Sequence, residues 1–562
     1  MITLFFISVK VNAQDLSSDR LDFLYNSFLS YKNVKPGGKQ FFSNKADSSY
    51  IKCGFVLASS IKFNFERFTE SQKKILSKLL QRPPTNDSLV SPSGHFWIHF
   101  NRTGFDAPNY NPALTAEDNA MQVAFAADSA YNFEVNYLGF PPPPSDAGET
   151  DERYDIYIDS PGGYGYTQPE FPVGEHIYSS FMVIHYEYQS GFYTHGLNAM
   201  RVTVAHEFHH AIQIGNYSYD DFDLDPFFYE MTSTSMEEFV FDDVNDYYGY
   251  LGSYFANPGK TFSSFRPGTN DGYDLAIWNL FLVNKFGFNI IKRQWELLRD
   301  GSRALEAIDI SISEIGSTFK ESLSIFGLWT YFTGKRSAKG VQQGFAFEEG
   351  NDYPLITPLA EENFTPPEDI FNLALNSACN NFIRVLDGSD TLVVLITNSD
   401  IDKAIESPDS KNNFIYGLYD HPVDNGDTIT SYYFKTTSSS DAFKWSTKEI
   451  FNDGVIIRPI IVNQNPVSVF PVPYTYEKNG DYIRFIVNNF ENTTVDFNVY
   501  TAGMELVYSN SMKLIRFPEI RGYVVSWTPL DNKNRRLASG VYLYIIKSGD
   551  NIQKGKFVVF NR

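Results

Sequence analysis

The chain has 562 residues, of which 43% are hydrophobic and 16% aromatic, and a formal net charge of −21. That acidity argues against nucleic acid or an anionic membrane surface as partner, and the length predicts several domains. No apolar run reaches the roughly 18 residues that a membrane-spanning helix needs.

Met1–Val9 is apolar, and Val11-Asn12-Ala13 before Gln14 forms a small-residue cleavage site. This predicts a signal peptide over 1–13 with a truncated start, because no basic residue precedes the apolar stretch and Lys10 follows it. Residues 14–88 read as an N-terminal region or propeptide. One helix is clear there: Thr69-x-x-Gln72 is a capping box, followed by Ile75, Leu76, Leu79 and Leu80 at helical spacing. Arg82-Pro83-Pro84 ends it. Strands are expected over 95–100, 154–158 and 181–184, with a helix over 116–135 between the first two. Residues 180–188 are the expected sheet edge, where an extended peptide could pair.

The most informative residues are His206-Glu207-Phe208-His209-His210, within the apolar stretch Val202 to Ile212. They spell H-E-x-x-H. On a helix, His206 and His210 project from one face and can grip one zinc ion. Glu207 then lies beside the metal, where it can take a proton from a polarised water. A third ligand is needed. The pattern with Gly and His at 213 and 216 is excluded, because Gln213 and Asn216 stand there. Glu230, on a second helix with small residues at 232–235, is the expected third ligand. Glu237 and Glu238 are expected to support the ligands or face solvent. His209 lies three residues from His206, but only His210 completes the motif with Glu207.

Asp221-x-Asp223-x-Asp225 has the spacing of a calcium loop, yet Pro226 replaces the turn glycine and Thr232 the bidentate glutamate. A solvated loop is expected; Ca2+ is possible but unsupported. Tyr273 to Leu298 reads as one amphipathic helix. Tyr247 and Tyr273 are both candidates to steady a tetrahedral intermediate, and the sequence does not rank them. Cys53 and Cys379 are open to three readings: one disulfide, buried free thiols, or a Cys53 thiolate in a pro-segment that fills the open zinc position. From about 350 short apolar strands such as Phe382–Leu386 and Leu392–Ile396 alternate with polar turns, predicting a β-sandwich.

Ala205 to Gln213, Glu230 to Glu238 and Asn245-Asp246-Tyr247 resemble a family of secreted bacterial gluzincin-type zinc metalloproteases. Ser93 to Phe100 and the prolines at 141–144 are similar as well. The likeness covers roughly residues 50–335 and implies a zinc-dependent protease. The last hundred residues are similar to the C-terminal sorting domain of type IX secretion cargo. Val469-Phe470-Pro471-Val472-Pro473-Tyr474, Phe497 to Tyr500, Trp527, Ala538 to Tyr544 and Lys554 to Phe560 carry that likeness. Val472 stands where such domains usually have Asn. The resemblance implies a seven-strand-like sandwich read by the export machinery.

The expected fold class is an α+β zincin-like catalytic domain followed by two all-β, immunoglobulin-like sandwiches. The expected boundaries are 89–348, 349–463 and 464–562. The expected function is a secreted or surface-attached Zn2+-dependent endopeptidase of proteins or peptides, with His206, His210 and Glu230 holding zinc and Glu207 as general base. The alternatives are a catalytically silent adhesin with a relic zinc site and a zinc aminopeptidase. Type IX machinery is the expected partner, and no oligomeric state follows from the residues.

Overall fold

The computed structural model describes residues 18–32, 34–35, 39–40, 51–145, 151–217, 225–266, 269, 271–363, 370–386, 390–406, 411–417, 429–437, 469–470, 474–476, 482–487, 494–501, 505–517, 522–548 and 551–561. The expected signal peptide, Asp221 and Asp223 of the acidic loop, and Pro471-Val472-Pro473 lie outside them. Two compact units divide the chain: residues 1–337 with 345–455, and residues 338–344 with 456–562. The division thus falls near 456, and residues 349–455 cluster with the first unit rather than standing as a domain of their own.

The first unit opens with α1 (Ser18–Tyr31) and a two-residue ribbon, β1 (Val34–Lys35) with β2 (Lys39–Gln40). β3 (Ile51–Cys53), α2 (Phe55–Phe63) and α3 (Glu70–Leu79) follow. Thr69 and Gln72 form the expected reciprocal cap of α3. Next come β4 (Asp87–Val90), β5 (Phe96–Phe100), α4 (Ala116–Tyr131), β6 (Tyr154–Asp159), β7 (Gly163–Gly174) and β8 (Ile177–His185). They form one six-stranded sheet in the order β3-β7-β8-β6-β5-β4.

Both faces of this sheet are covered. Leu24, Phe28, Tyr31, Leu57, Ile61 and Leu76 of α1–α3 pack against Tyr157, Tyr166, Phe181 and Val183. On the other face Phe208, from the motif helix α5 (Gly196–Asn216), meets Phe96 at 5.4 Å and Tyr154 at 6.4 Å between ring centroids. A strand buried on both faces carries a continuous apolar run, which explains Phe181-Met182-Val183-Ile184. It also corrects the expected edge. β8 lies between β7 and β6, so residues 182–185 have no free side; β7, capped by β3, stands at that flank.

After α5 the first unit is mainly helical: α6 (Pro226–Val240), α7 (Tyr248–Ala256), α8 (Ala276–Phe286), α9 (Asn289–Arg299), α10 (Ala304–Glu314) and α11 (Phe319–Tyr331). The single helix expected over 273–298 is two helices. Gly287 adopts φ 83, and its N–H caps Val283 O at 2.8 Å, which ends α8. Trp278 and Trp295, one on each piece, are both fully buried.

β9 (Ala360–Asn363), β10 (Ile370–Asn376), β11 (Cys379–Leu386), β12 (Asp390–Asn398), β13 (Lys411–Gly417) and β14 (Ile429–Thr437) complete this unit. They form a four-stranded sheet, β14-β12-β11-β9, and a β10-β13 pair. Asn380 donates to Leu323 O at 2.8 Å and Phe262 N–H to Ala378 O at 3.1 Å, which ties these strands to the helices.

The second unit pairs two sheets. One is β15 (Val469–Phe470), β17 (Ile483–Val487), β21 (Gly522–Trp527) and β20 (Ile515–Phe517), in that order. The other is β16 (Tyr474–Thr475), β23 (Asn551–Phe560), β22 (Gly540–Ser548), β18 (Thr494–Thr501) and β19 (Leu506–Lys513). Alternate residues such as Ile483, Phe485, Val487 and Val495, Phe497, Val499 share a core with Trp527 and Tyr544. No helix among the described residues is long and apolar enough to cross a membrane.

Candidate metal centre

α5 is buried nearly all round from Val202 to Gly215, so every polar side chain on it needs a partner. His206 Nδ1 pairs with Glu237 Oε1 at 2.7 Å, and His210 Nδ1 with Gln213 Oε1 at 2.7 Å. Thr167 Oγ1 on β7 reaches Glu207 Oε2 at 2.9 Å. His209 turns away from the other two: its Nδ1 meets Glu134 Oε2 at 2.7 Å, and its ring sits edge-on to Phe140 and Trp295.

α6 starts on Pro226, a residue pre-set for a first helical turn. Asp225 before it accepts from Arg303 at 2.8 and 2.9 Å and from Ala304 N–H at 3.0 Å, which commits this member of the acidic triplet to a structural role. Small residues from Thr232 to Ser235 let α6 lie close to α5. Gln213 Nε2 donates across the gap to Tyr229 O at 3.1 Å.

These two helices bring His206, His210 and Glu230 together, and β3 adds Cys53. The four offer one donor atom each, all within 4.8 Å of one another and all buried. His206 Nε2 and His210 Nε2 lie 3.1 Å apart, and Glu230 Oε2 lies 3.3 and 3.4 Å from them. A tetrahedron with metal–ligand bonds of about 2.0–2.1 Å has edges of roughly 3.3 Å. Both Nδ1 atoms are held by acceptors, so both Nε2 lone pairs face the same point. Glu230 Oε2 has no hydrogen-bond partner there. Two imidazoles, a carboxylate and a thiol are the ligand types zinc takes. The residues present therefore fit the ion. Among the described residues this is the one group so placed.

The electrostatics point the same way. Burial opposes charge on His206, yet its hydrogen bonds to the Glu230 and Glu237 carboxylates push it up to about 9. Burial likewise opposes ionisation of Glu230, but His210 and His206 hold it down to about 2. The centre thus favours a positive charge among its carboxylates. Cys53 is pushed well above the usual thiol value, by burial first and then by Glu207 and Glu230.

Glu207 is 1% exposed, and its Oε1 has no hydrogen-bond partner. Burial is the main cause of its raised pKa. Gly165 explains how β7 comes so near: a Cβ there would meet Val183 O at 2.9 Å and Glu207 Cγ at 3.2 Å. The two tyrosines separate clearly. The Tyr247 hydroxyl is bound to Glu349 at 2.5 Å and Tyr353 at 2.6 Å. Tyr273 stacks on the His206 ring, with centroids 5.9 Å apart, and its phenol faces Glu230.

A second layer escaped the sequence reading. Lys52 Nζ donates to Glu237 Oε2 at 2.9 Å and also to Asp246. Tyr164 OH reaches the other Asp246 oxygen at 3.2 Å. Burial opposes the Lys52 charge, but Asp246 and Glu237 outweigh it and hold its pKa above the usual value. Gln213 was visible one turn after His210; Thr167 and Lys52 carried no motif. Glu238, expected to face solvent or support a ligand, is 7% exposed and lies beside Glu349 and Asp242 instead. Cys53 and Cys379 are both free thiols, so no disulfide joins them; Cys379 Sγ donates to Asn376 O at 3.1 Å.

No family model matches the chain, and no curated protein does. Among solved structures it is similar to dimeric latent PorU of Porphyromonas gingivalis, at 14% identity and TM-score 0.15, over 32% of this chain and 13% of that one. It is also similar to PorZ, a surface component of the type IX secretion system of the same organism, at 10% identity and TM-score 0.14, over 32% of this chain and 30% of that one. The matched stretches are small parts of both proteins, and scores this low carry no statement about fold or activity.

Proposed function

We propose that the chain is a secreted zinc-dependent endopeptidase in which His206, His210 and Glu230 hold the metal and Glu207 is the general base. One observation carries this reading. Glu207 is buried beside three convergent metal donors, with Thr167 on one carboxylate oxygen and the Cys53 thiol beside the carboxylate. A purely structural metal site has no use for such a group. Zinc, when bound, supplies Lewis acidity to a scissile carbonyl and acidifies the attacking water. Glu207 Oε1 receives the proton of that water and delivers it to the leaving amine. Thr167 fixes the other oxygen, so the carboxylate keeps one orientation. Tyr273, whose phenol faces Glu230, is the candidate donor to the developing oxyanion in this reading.

The reading includes a zincin-like first unit and export through the type IX route, for which the two-sheet C-terminal unit and its sequence likeness are the support. Glu207→Gln in the full chain tests the chemistry: it should keep its zinc and lose casein hydrolysis about 10²–10⁴-fold. Internal cuts in a peptide mixture separate an endopeptidase from an aminopeptidase. A second reading has its own observation. Four protein donors close a zinc site, as structural sites do, which favours a silent binding protein.

A further inference from the structure

The strand that carries Cys53 also fills the edge of the sheet beside the metal centre. β7 pairs with β8 on one side. On the other, β3 runs parallel to it through Ile51↔Gly163 and Cys53↔Gly165, and Gly54 N–H donates to Gly165 O at 2.9 Å. Glu207 lies at this stretch of β7, held by Thr167 and close under Gly165. The outer edge of β7 is thus the place where an extended peptide would add a strand within reach of the base. Residues 51–54 already stand there. The same segment brings Cys53 Sγ into the donor cluster and lays the Phe55 ring on His210, centroids 4.0 Å apart and 16° from parallel. It is also anchored: Lys52 is buried between Glu237 and Asp246. Glu230 Oε2, buried and 3.3 and 3.4 Å from the two imidazole Nε2 atoms, belongs to the same donor cluster as Cys53 Sγ.

We propose that residues 51–54 are an internal occupant of the substrate cleft, with Cys53 as the fourth metal ligand, and that they hold the peptidase at a low basal activity until this segment leaves β7. The proposal rests on the zinc-peptidase reading and names how that site is regulated. A catalytic zinc needs one position free of protein; Cys53 takes it. With zinc bound, withdrawal would part Cys53 Sγ from the metal; a water would take the freed position and give one proton to the thiolate, leaving a thiol on Cys53 and hydroxide at that position. The strand edge of β7 is exposed in the same movement, so metal and substrate groove are unblocked together.

The test uses the zinc-loaded full chain and its Cys53→Ser variant. Zinc X-ray absorption should show one sulfur neighbour at about 2.3 Å in the wild type and none in the variant. Casein hydrolysis should be several-fold faster in the variant. The absorption measurement on the wild type does not depend on the variant folding. Zinc without sulfur, or equal measurable hydrolysis by both proteins, would overturn the proposal; the peptidase reading would stand if Glu207→Gln abolished that hydrolysis. Sulfur in the wild type with hydrolysis by neither form, or no zinc at all, would overturn both.

Discussion

Lys52 Nζ lies 2.9 Å from Glu237 Oε2, and the other oxygen of that carboxylate holds His206 Nδ1 at 2.7 Å. A lysine on the N-terminal strand thus orients His206, a proposed metal ligand, through one shared carboxylate. Lys52→Met removes the cation and leaves Glu237 and Asp246 buried without it. Breaking a buried pair in this way costs about 3–5 kcal/mol, and denaturant unfolding should show a loss of that order.

Glu237→Gln keeps the shape and removes the charge behind His206. Partners of this kind are worth about 10–100-fold in metal affinity. Competition with a chromogenic chelator should therefore find zinc bound that much more weakly, with the melting curve changed less than by Lys52→Met.

His209 and Glu134 form a buried pair away from the metal centre, and each has a second polar atom without a partner: His209 Nε2 and Glu134 Oε1. Burial raises the Glu134 pKa well above the usual value and lowers that of His209 well below its own. Removing one member, as in Glu134→Leu, should cost about 1–3 kcal/mol, while His209→Phe combined with Glu134→Leu should recover most of that. Zinc content should not change in either variant. A loss of zinc with His209→Phe would contradict the assignment of His210 as the ligand.

The motif helix was legible in the sequence because its chemistry is local: H-E-x-x-H needs one helix and nothing else. Glu230 was legible by its distance from that motif and the small residues after it. β3 was not. Ile51-Lys52-Cys53 is three residues long, with no periodicity to read, and its place is set by pairing to Gly163–Gly165 more than a hundred positions on. The misplaced sheet edge has the same origin, since an apolar run reports burial but not which neighbour lies on either side. Gly287 was readable as a helix stop, but the apolar spacing on both sides concealed it.

Glu238 offers a pH test away from the metal. Burial, then the charges of Glu349, Asp242 and Glu348, push its carboxyl up to about 9. The folded form therefore keeps a proton that the unfolded chain releases above about pH 4.3. Its contribution to stability falls as pH rises from there towards 9. Glu238→Gln should flatten that slope. It should match the parent near pH 4 and exceed it at pH 8 by an amount on the order of 2 kcal/mol, read from melting curves at the two pH values.

Gly165→Ala would place a methyl group 2.9 Å from Val183 O and 3.2 Å from Glu207 Cγ. The carboxylate has to shift. Peptide hydrolysis should fall roughly 10²-fold, as small misplacements of a catalytic group do, with zinc content unchanged.

The donor set also bears on how the chain is tied together. Cys53 and His206 are separated by most of the first sheet and α4, and both cysteines are free. An ion gripping both closes a loop of some 150 residues, a topological cross-link of the kind a disulfide makes and worth a few kcal/mol by loop-closure entropy. Unlike a disulfide, this clasp opens to a chelator as well as to a thiol reagent. Folding of the N-terminal layer and metal supply would then be a single linked equilibrium.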